Sequence, residues 1–227
     1  MNPSLASLIT LFSTGNTADL TKHLASLSNT EAALLIQDLL SAYANDRNSS
    51  TIREFVTVSV AGYTHSDGKI GFDGVKTENG ITKECEAKPR NIRSADVKAY
   101  KEGTRKTKPA LLDAGGSVND YTLARFEKDK RENPTMLMSG FVDGKLIFIL
   151  SIPFNSPGII TSLETQLTKR FPNGAAPSQY LRGARVCFKD YKDDAALKVE
   201  FIAQKSDIEA NKPYISKPLY DYLHAKA

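Results

Sequence analysis

The stretch GKIGFDGVKTENGITKECEAKP, residues 68 to 89, decides how this chain is read. Asn79-Gly80 is the dipeptide best suited to the two positive φ angles of a tight hairpin turn, and an extended segment flanks it on each side. A two-residue loop there sets Glu78 opposite Ile81, and stepping back along both strands brings Asp73 opposite Glu86. Side chains alternate across a strand, so Gly71, Asp73 and Val75 share one face with Glu84, Glu86 and Lys88. Ile70, Phe72, Cys85 and Ala87 fall on the other face, an apolar set that suits a core. A slip of one residue would bury the charges instead, so this register passes an independent test.

Two carboxylates directly opposite each other on a sheet repel unless something positive sits between them. A divalent cation meets that need. Two acidic side chains, with the remaining positions left to water and substrate phosphate, describe how Mg2+ is usually held. Lys88 is diagonal to Asp73 and two residues beyond Glu86, so its ammonium reaches the same place from one edge. There it can orient or help deprotonate an attacking water and offset charge on a phosphate.

Outward from this hairpin, the first fifty residues have apolar positions at helical spacing: Leu5, Leu8 and Ile9, then Leu20, Leu24 and Leu27. Ser28-Asn29-Thr30-Glu31 is a capping-box pattern leading into a third helix, and the polar run Asn45 to Ser50 breaks it. A helical N-terminal subdomain over residues 1–48 and a catalytic domain over 49–227 follow from that break. Phe55 to Tyr63, rich in valine, fits either a strand or a buried helix end. Residues 94 to 102 read as a helix capped by Ser94, and Thr122 to Glu132 as another stopped by Asn133-Pro134. MLMSGFV and KLIFILSI flank Asp143-Gly144, a second hairpin whose apolar character on both faces suits central strands covered on each side. TSLETQLTKRF reads as helix, ARVCF and LKVEFIA as strands. The fold class is α/β or α+β, a mixed sheet flanked by helices.

Bulk properties narrow the function. The 227 residues carry a net charge of +4, are 41% hydrophobic and 25% charged, and contain no apolar run able to span a bilayer. The start, MNPSLASLITLF, has no basic leader, which predicts a cytoplasmic protein. Cys85 and Cys187 form neither a disulfide framework nor a zinc pattern, and His23, His65 and His224 are too scattered to suggest a histidine metal site. No GxxxxGK[ST] phosphate loop occurs, and the length argues against a fused translocase or methyltransferase.

Asp73 followed by Glu86-Ala87-Lys88 resembles the PD-(D/E)xK nuclease motif, with Phe72 where the family usually has proline. The family includes most type II restriction endonucleases. The resemblance implies a hairpin within a mixed sheet, Asp73 and Glu86 as Mg2+ ligands, and Lys88 assisting the attacking water. It covers the hairpin itself, and the downstream order of strands and helices agrees with it. Glu54 has two readings, an acid from a preceding helix as in some members, or part of a Thr51-Ile52-Arg53-Glu54 capping box; the cap is preferred. Glu84 reads as a neighbour of the site or as a further ligand.

From Lys88 to Lys108, eight basic residues stand against Asp96 and Glu102. Such a stripe neutralises phosphates and makes binding sensitive to salt. The DNA-binding candidates are Arg90, Asn91, Arg93, Lys98, Lys101, Arg105, Lys106, Lys108 and Asn119. Asn119, in a polar loop over 114–121, suits adenine, and Arg90 or Arg93 suits guanine. The expected function is a type II restriction endonuclease cutting double-stranded DNA, working as a homodimer beside a companion DNA methyltransferase. A structure-specific repair or recombination nuclease of the same fold and a nonenzymatic DNA-binding protein are the alternatives.

Overall fold

Both predicted hairpins form. Asn79 and Gly80 take φ values of 52° and 76°, and Asp143 and Gly144 take 49° and 78°, the left-handed pairs that a two-residue turn needs. The computed structural model describes residues 3–45, 50–66, 71–176 and 179–227, with residues 40–45 described in backbone only. Its first half comprises α1 (Pro3–Thr14), α2 (Thr17–Ala25), α3 (Asn29–Asn45), α4 (Thr51–Val60), β1 (Thr64–His65), β2 (Gly74–Glu78), β3 (Ile81–Ile92), α5 (Ser94–Lys101) and β4 (Gly116–Tyr121). Then come α6 (Leu123–Glu132), β5 (Thr135–Val142), β6 (Lys145–Pro153), α7 (Pro157–Arg170), β7 (Leu181–Val186), α8 (Phe188–Tyr191), β8 (Lys198–Ile202), α9 (Lys205–Ala210) and α10 (Lys217–Lys226).

Among the described residues the strands make a six-stranded mixed sheet in the order β1-β2-β3-β5-β6-β8, with β3 and β5 parallel. β4 and β7 pair separately as an antiparallel ribbon. The helix-flanked mixed sheet expected from the sequence is therefore present. β5 and β6 are buried almost throughout, and their alternate residues feed two cores, as strands covered on both faces must. On one face Leu137, Phe141 and Ile149 join Cys85 and Ala87 beneath Leu5, Ile9, Val56 and Val58 of α1 and α4. On the other, Met136, Met138 and Leu150 pack with Val118 and Ala184 of the ribbon and with Phe126, Leu163 and Leu219 of α6, α7 and α10.

Local signals mostly held. The Ser28–Glu31 box closes, with the Ser28 N–H donating to Glu31 at 2.8 Å and the Glu31 N–H to Ser28 Oγ at 3.3 Å. Thr122 caps α6, which ends on a left-handed Asn133. Ser94 is not the cap of α5 but its first residue; its N–H donates at 2.9 Å to Asp143 Oδ1, so the second hairpin's turn supplies the cap. Phe55–Tyr63 resolves chiefly as helix, the C-terminal part of α4. The expected boundary near residue 48 lies outside the described residues, while Leu5, Ile9 and Leu35 share a core with strand residues. Among the described residues, no helix is long and apolar enough to cross a membrane.

A buried hydroxyl pair pins α4 to the sheet. Thr57 Oγ1 donates to the Arg53 carbonyl at 2.7 Å, and since a hydroxyl has one proton, Ser139 Oγ must donate to Thr57 across the 2.6 Å between them. Ser139→Ala removes one buried hydrogen bond, about 1 kcal/mol, whereas Thr57→Val strands a buried hydroxyl and costs about 1–3 kcal/mol. In urea unfolding the double variant is expected to be less destabilised than the sum of the two singles.

Candidate active site

The site forms where the first hairpin stops being regular. Gly74 faces Cys85, as the two-residue turn requires, and β2 begins there. Asp73 leaves the ladder: its N–H donates to the Cys85 carbonyl at 3.0 Å, and its own carbonyl accepts from the Ser66 N–H at 2.9 Å. Among the described residues no strand pairs with β3 on this side beyond Cys85. The Asp73 carboxylate takes a strand's place there, its Oδ2 accepting the Ala87 N–H at 2.7 Å.

Glu86 and Lys88 project from β3 toward the face carrying Met136 and Met138. Lys88 Nζ lies 2.5 Å from Glu86 Oε1, and the two side chains are only 18% and 20% exposed. Burial, and then the charge on Glu86, push the Asp73 carboxyl up to about 6. The Ala87 N–H and Lys88 oppose the rise; Glu54 adds to it. Burial, and then the charges on Asp73 and Glu86, push the Cys85 thiol up to about 12, which leaves it inert. Both cysteines are free.

Four placements differ from the sequence reading. Phe72 does not join the core with Cys85 and Ala87 but lines a cleft beside Glu86, because strand alternation ends at Gly74; Ile70 lies outside the described residues. Glu54 sits one position past a box, since α4 starts at Thr51 after the cap residue Ser50, and it lines the cleft that holds Lys88. Glu84 lies in a different cleft, with Lys76 and Lys83. Residues 116–121 are not a loop but β4, in which Asn119 faces Gly183 on β7 and is exposed.

Of the remaining basic and amide candidates, Arg90 shares the Lys88 cleft and pairs with Asp113 at 3.0 Å. Asn91 Oδ1 accepts the Gly144 N–H at 3.0 Å, which makes it a brace for the second hairpin. Arg93 and Arg105 both bond Asp96 across the start of α5, at 3.0 and 2.9 Å. Lys98 pairs loosely with Glu102, and Lys101, Lys106 and Lys108 are exposed on and after that helix. Two residues with no local signature also appear. Arg185 on β7 bonds Asp113 at 2.5 Å. Asp129 on α6, raised by burial, accepts from Tyr121 Oη at 2.9 Å and feels the charge on Glu86.

Gly115 and Gly116 read as flexible, yet their role is spatial. A Cβ on Gly116 would stand 2.8 Å from Lys88 Cγ and 3.2 Å from Met138 Sδ; one on Gly115 would stand 2.7 Å from the Val186 carbonyl oxygen. The bare backbone of β4 is what walls in the stem of Lys88.

Comparison with known protein families, curated proteins and solved structures finds no match. Among the described residues no group of three or more His, Cys, Asp or Glu is placed to hold a metal ion. Mg2+ rarely uses such a cage; it rests on one or two carboxylates and keeps water and substrate oxygens. The all-oxygen pair of Asp73 and Glu86, half-desolvated and mutually repelling, has the chemistry such an ion requires.

The raised Asp73 carboxyl sets a testable pH dependence. Its folded-state value exceeds the ordinary 3.8, so its contribution to stability is fully present below about pH 4 and is lost as pH rises through about 6. Discounted for partial solvent screening, that loss is about 1–2 kcal/mol. In EDTA, Asp73→Asn is expected to gain this much on wild type between about pH 3.5 and about pH 8, as read by urea unfolding. Equal pH slopes for the two proteins would contradict it.

Proposed function

We propose that this chain is a Mg2+-dependent endonuclease that hydrolyses phosphodiester bonds in double-stranded DNA, and that it acts as a type II restriction enzyme. The observation that carries this reading is the convergence of Asp73, Glu86 and Lys88 at one point on an open strand edge. Its resemblance to the PD-(D/E)xK pattern rests on the same three residues.

Asp73 and Glu86 would hold the ion, which when bound supplies Lewis-acid charge to the water and the phosphoryl oxygen. The protein's own groups do the positioning. Ala87 N–H fixes the Asp73 carboxylate, and Glu86 fixes Lys88 Nζ, so neither has to be ordered during reaction. Lys88 presents N–H donors to the attacking water and to the phosphate, offsetting charge that grows as the new P–O bond forms and the bond to the leaving sugar oxygen breaks. The water's proton leaves to solvent or base, and the leaving oxygen takes one up. Asp129 and Glu54 flank the pair and deepen its negative field.

Purified protein with unmethylated plasmid and Mg2+ is expected to give discrete fragments. EDTA should abolish cutting, and Lys88→Ala should slow it by roughly 10²–10⁴-fold. A smear with the same dependences would favour a repair or recombination nuclease, and binding without cutting would favour the nonenzymatic alternative. Unchanged cutting by Lys88→Ala would sink the assignment of this site.

Gly116→Ala gives a second test. The added methyl must displace Lys88 or β4, and a displacement of an ångström is expected to slow cleavage by roughly tenfold to a hundredfold while the variant still folds. Wild-type rates from this variant would mean that the β4 backbone does not set the position of Lys88.

A further inference from the structure

Beyond the three acting residues, the open edge of β3 continues as a cleft of about 390 Å³, and its lining includes Lys88, Arg90, Gly116, Ser117, Arg185 and, at the α4 end, Glu54. Arg90 comes from β3 and Arg185 from β7, so the sheet and the ribbon each supply one guanidinium. A single carboxylate fixes both: Asp113 Oδ1 accepts from Arg90 Nη1 at 3.0 Å and Oδ2 from Arg185 Nη2 at 2.5 Å. One negative charge cannot neutralise two positive ones. Asp113 is 24% exposed against 43% for Arg185, so the surplus charge faces outward.

The scaffold behind Arg185 is also fixed. Gln166 of α7 clasps its backbone, accepting the Arg185 N–H at 2.9 Å and donating to its carbonyl at 2.7 Å. Across the ribbon Arg185 faces Ser117, whose neighbour Gly116 packs on Lys88. Guanidinium groups held in place by a carboxylate on one side keep N–H donors for a second anion on the other, and their planar fork suits a phosphodiester.

We propose that Arg90 and Arg185, bridged by Asp113, form a phosphodiester-binding clamp that holds the DNA backbone one phosphate away from the bond being cut. The assignment of the neighbouring cut rests on the nuclease reading above; the clamp itself is a duplex-backbone site. Lys88 and Arg90 lie two residues apart on one face of β3, about 6.6 Å along the strand. That is the order of the spacing between neighbouring phosphates of one DNA strand. The clamp therefore fixes which phosphate meets Asp73, Glu86 and Lys88.

The test is the affinity of a 20-base-pair duplex, read by fluorescence anisotropy in EDTA over a series of KCl concentrations, with wild type, Arg185→Ala and Arg185→Lys. Loss of one phosphate contact is expected to reduce the slope of log K against log salt by about one for Arg185→Ala, and a charge-preserving lysine is expected to keep the slope. In cleavage, Arg185→Ala is expected to raise KM about tenfold with kcat within about twofold. Equal slopes and equal KM in all three proteins, with only the melting temperature of Arg185→Ala lowered, would make the bridge structural and overturn the proposal. An Arg185-dependent slope in a wild type that does not cut would uphold the clamp and remove the nuclease reading. Cutting that is indifferent to Arg185 would do the reverse.

Discussion

A two-residue turn closes in one register, and everything at the candidate site follows from that constraint. With Asn79 and Gly80 both left-handed, Glu78 must face Ile81 and Gly74 must face Cys85. Cys85 and Ala87 then enter the core shared with α1 and α4, and Glu86 and Lys88 are left on the other face. A slip by one residue would drive Glu86 into that apolar core at a cost no local gain could offset. The turn, far from the chemistry, is thus what gathers the charges.

The ladder's early end matters as much as its register. Had β2 continued, a strand would have saturated the edge of β3 beyond Cys85, and nothing could approach it. Instead Asp73 breaks away after donating to the Cys85 carbonyl and reuses its carboxylate as an acceptor for Ala87. The open part of the edge lies among charges, which protects it from pairing with another chain. Burial first and the charge on Glu86 second raise the Asp73 carboxyl, and the burial of neighbouring apolar strands outweighs that cost.

Much of this was legible in the sequence because its causes are local. Turn dipeptides, capping patterns and alternation are read within a few residues, and they located both hairpins, the helix-flanked sheet and the facing of Glu86 and Lys88. Alternation misled at Phe72 because it carries no information on where a ladder stops. Glu54 was weighed as a cap because Thr51-Ile52-Arg53-Glu54 fits that pattern, yet α4 begins one residue too early for it, at Thr51 itself. The glycine pair at 115–116 read as part of a polar loop since flexibility and small size are the same letter in a sequence. Arg185, Asp113 and Asp129 gave no signal at all, because their roles depend on contacts across long stretches of chain.

Those long-range contacts share one logic. The two core faces fix the sheet, the Thr57–Ser139 pair fixes α4 on one side of it, and the glycine-backed ribbon fixes the other. Between them β3 carries an ordered sequence of charge: Glu86, then Lys88, then Arg90, each on the same face, with an anion-repelling end beside Asp73 and an anion-attracting end beside Arg185. A polyanion entering such a gradient is drawn in at the arginines and meets the carboxylates only where a cation can mediate. Under the proposed nuclease reading, the direction of the strand would then set the direction in which a substrate backbone is laid across it.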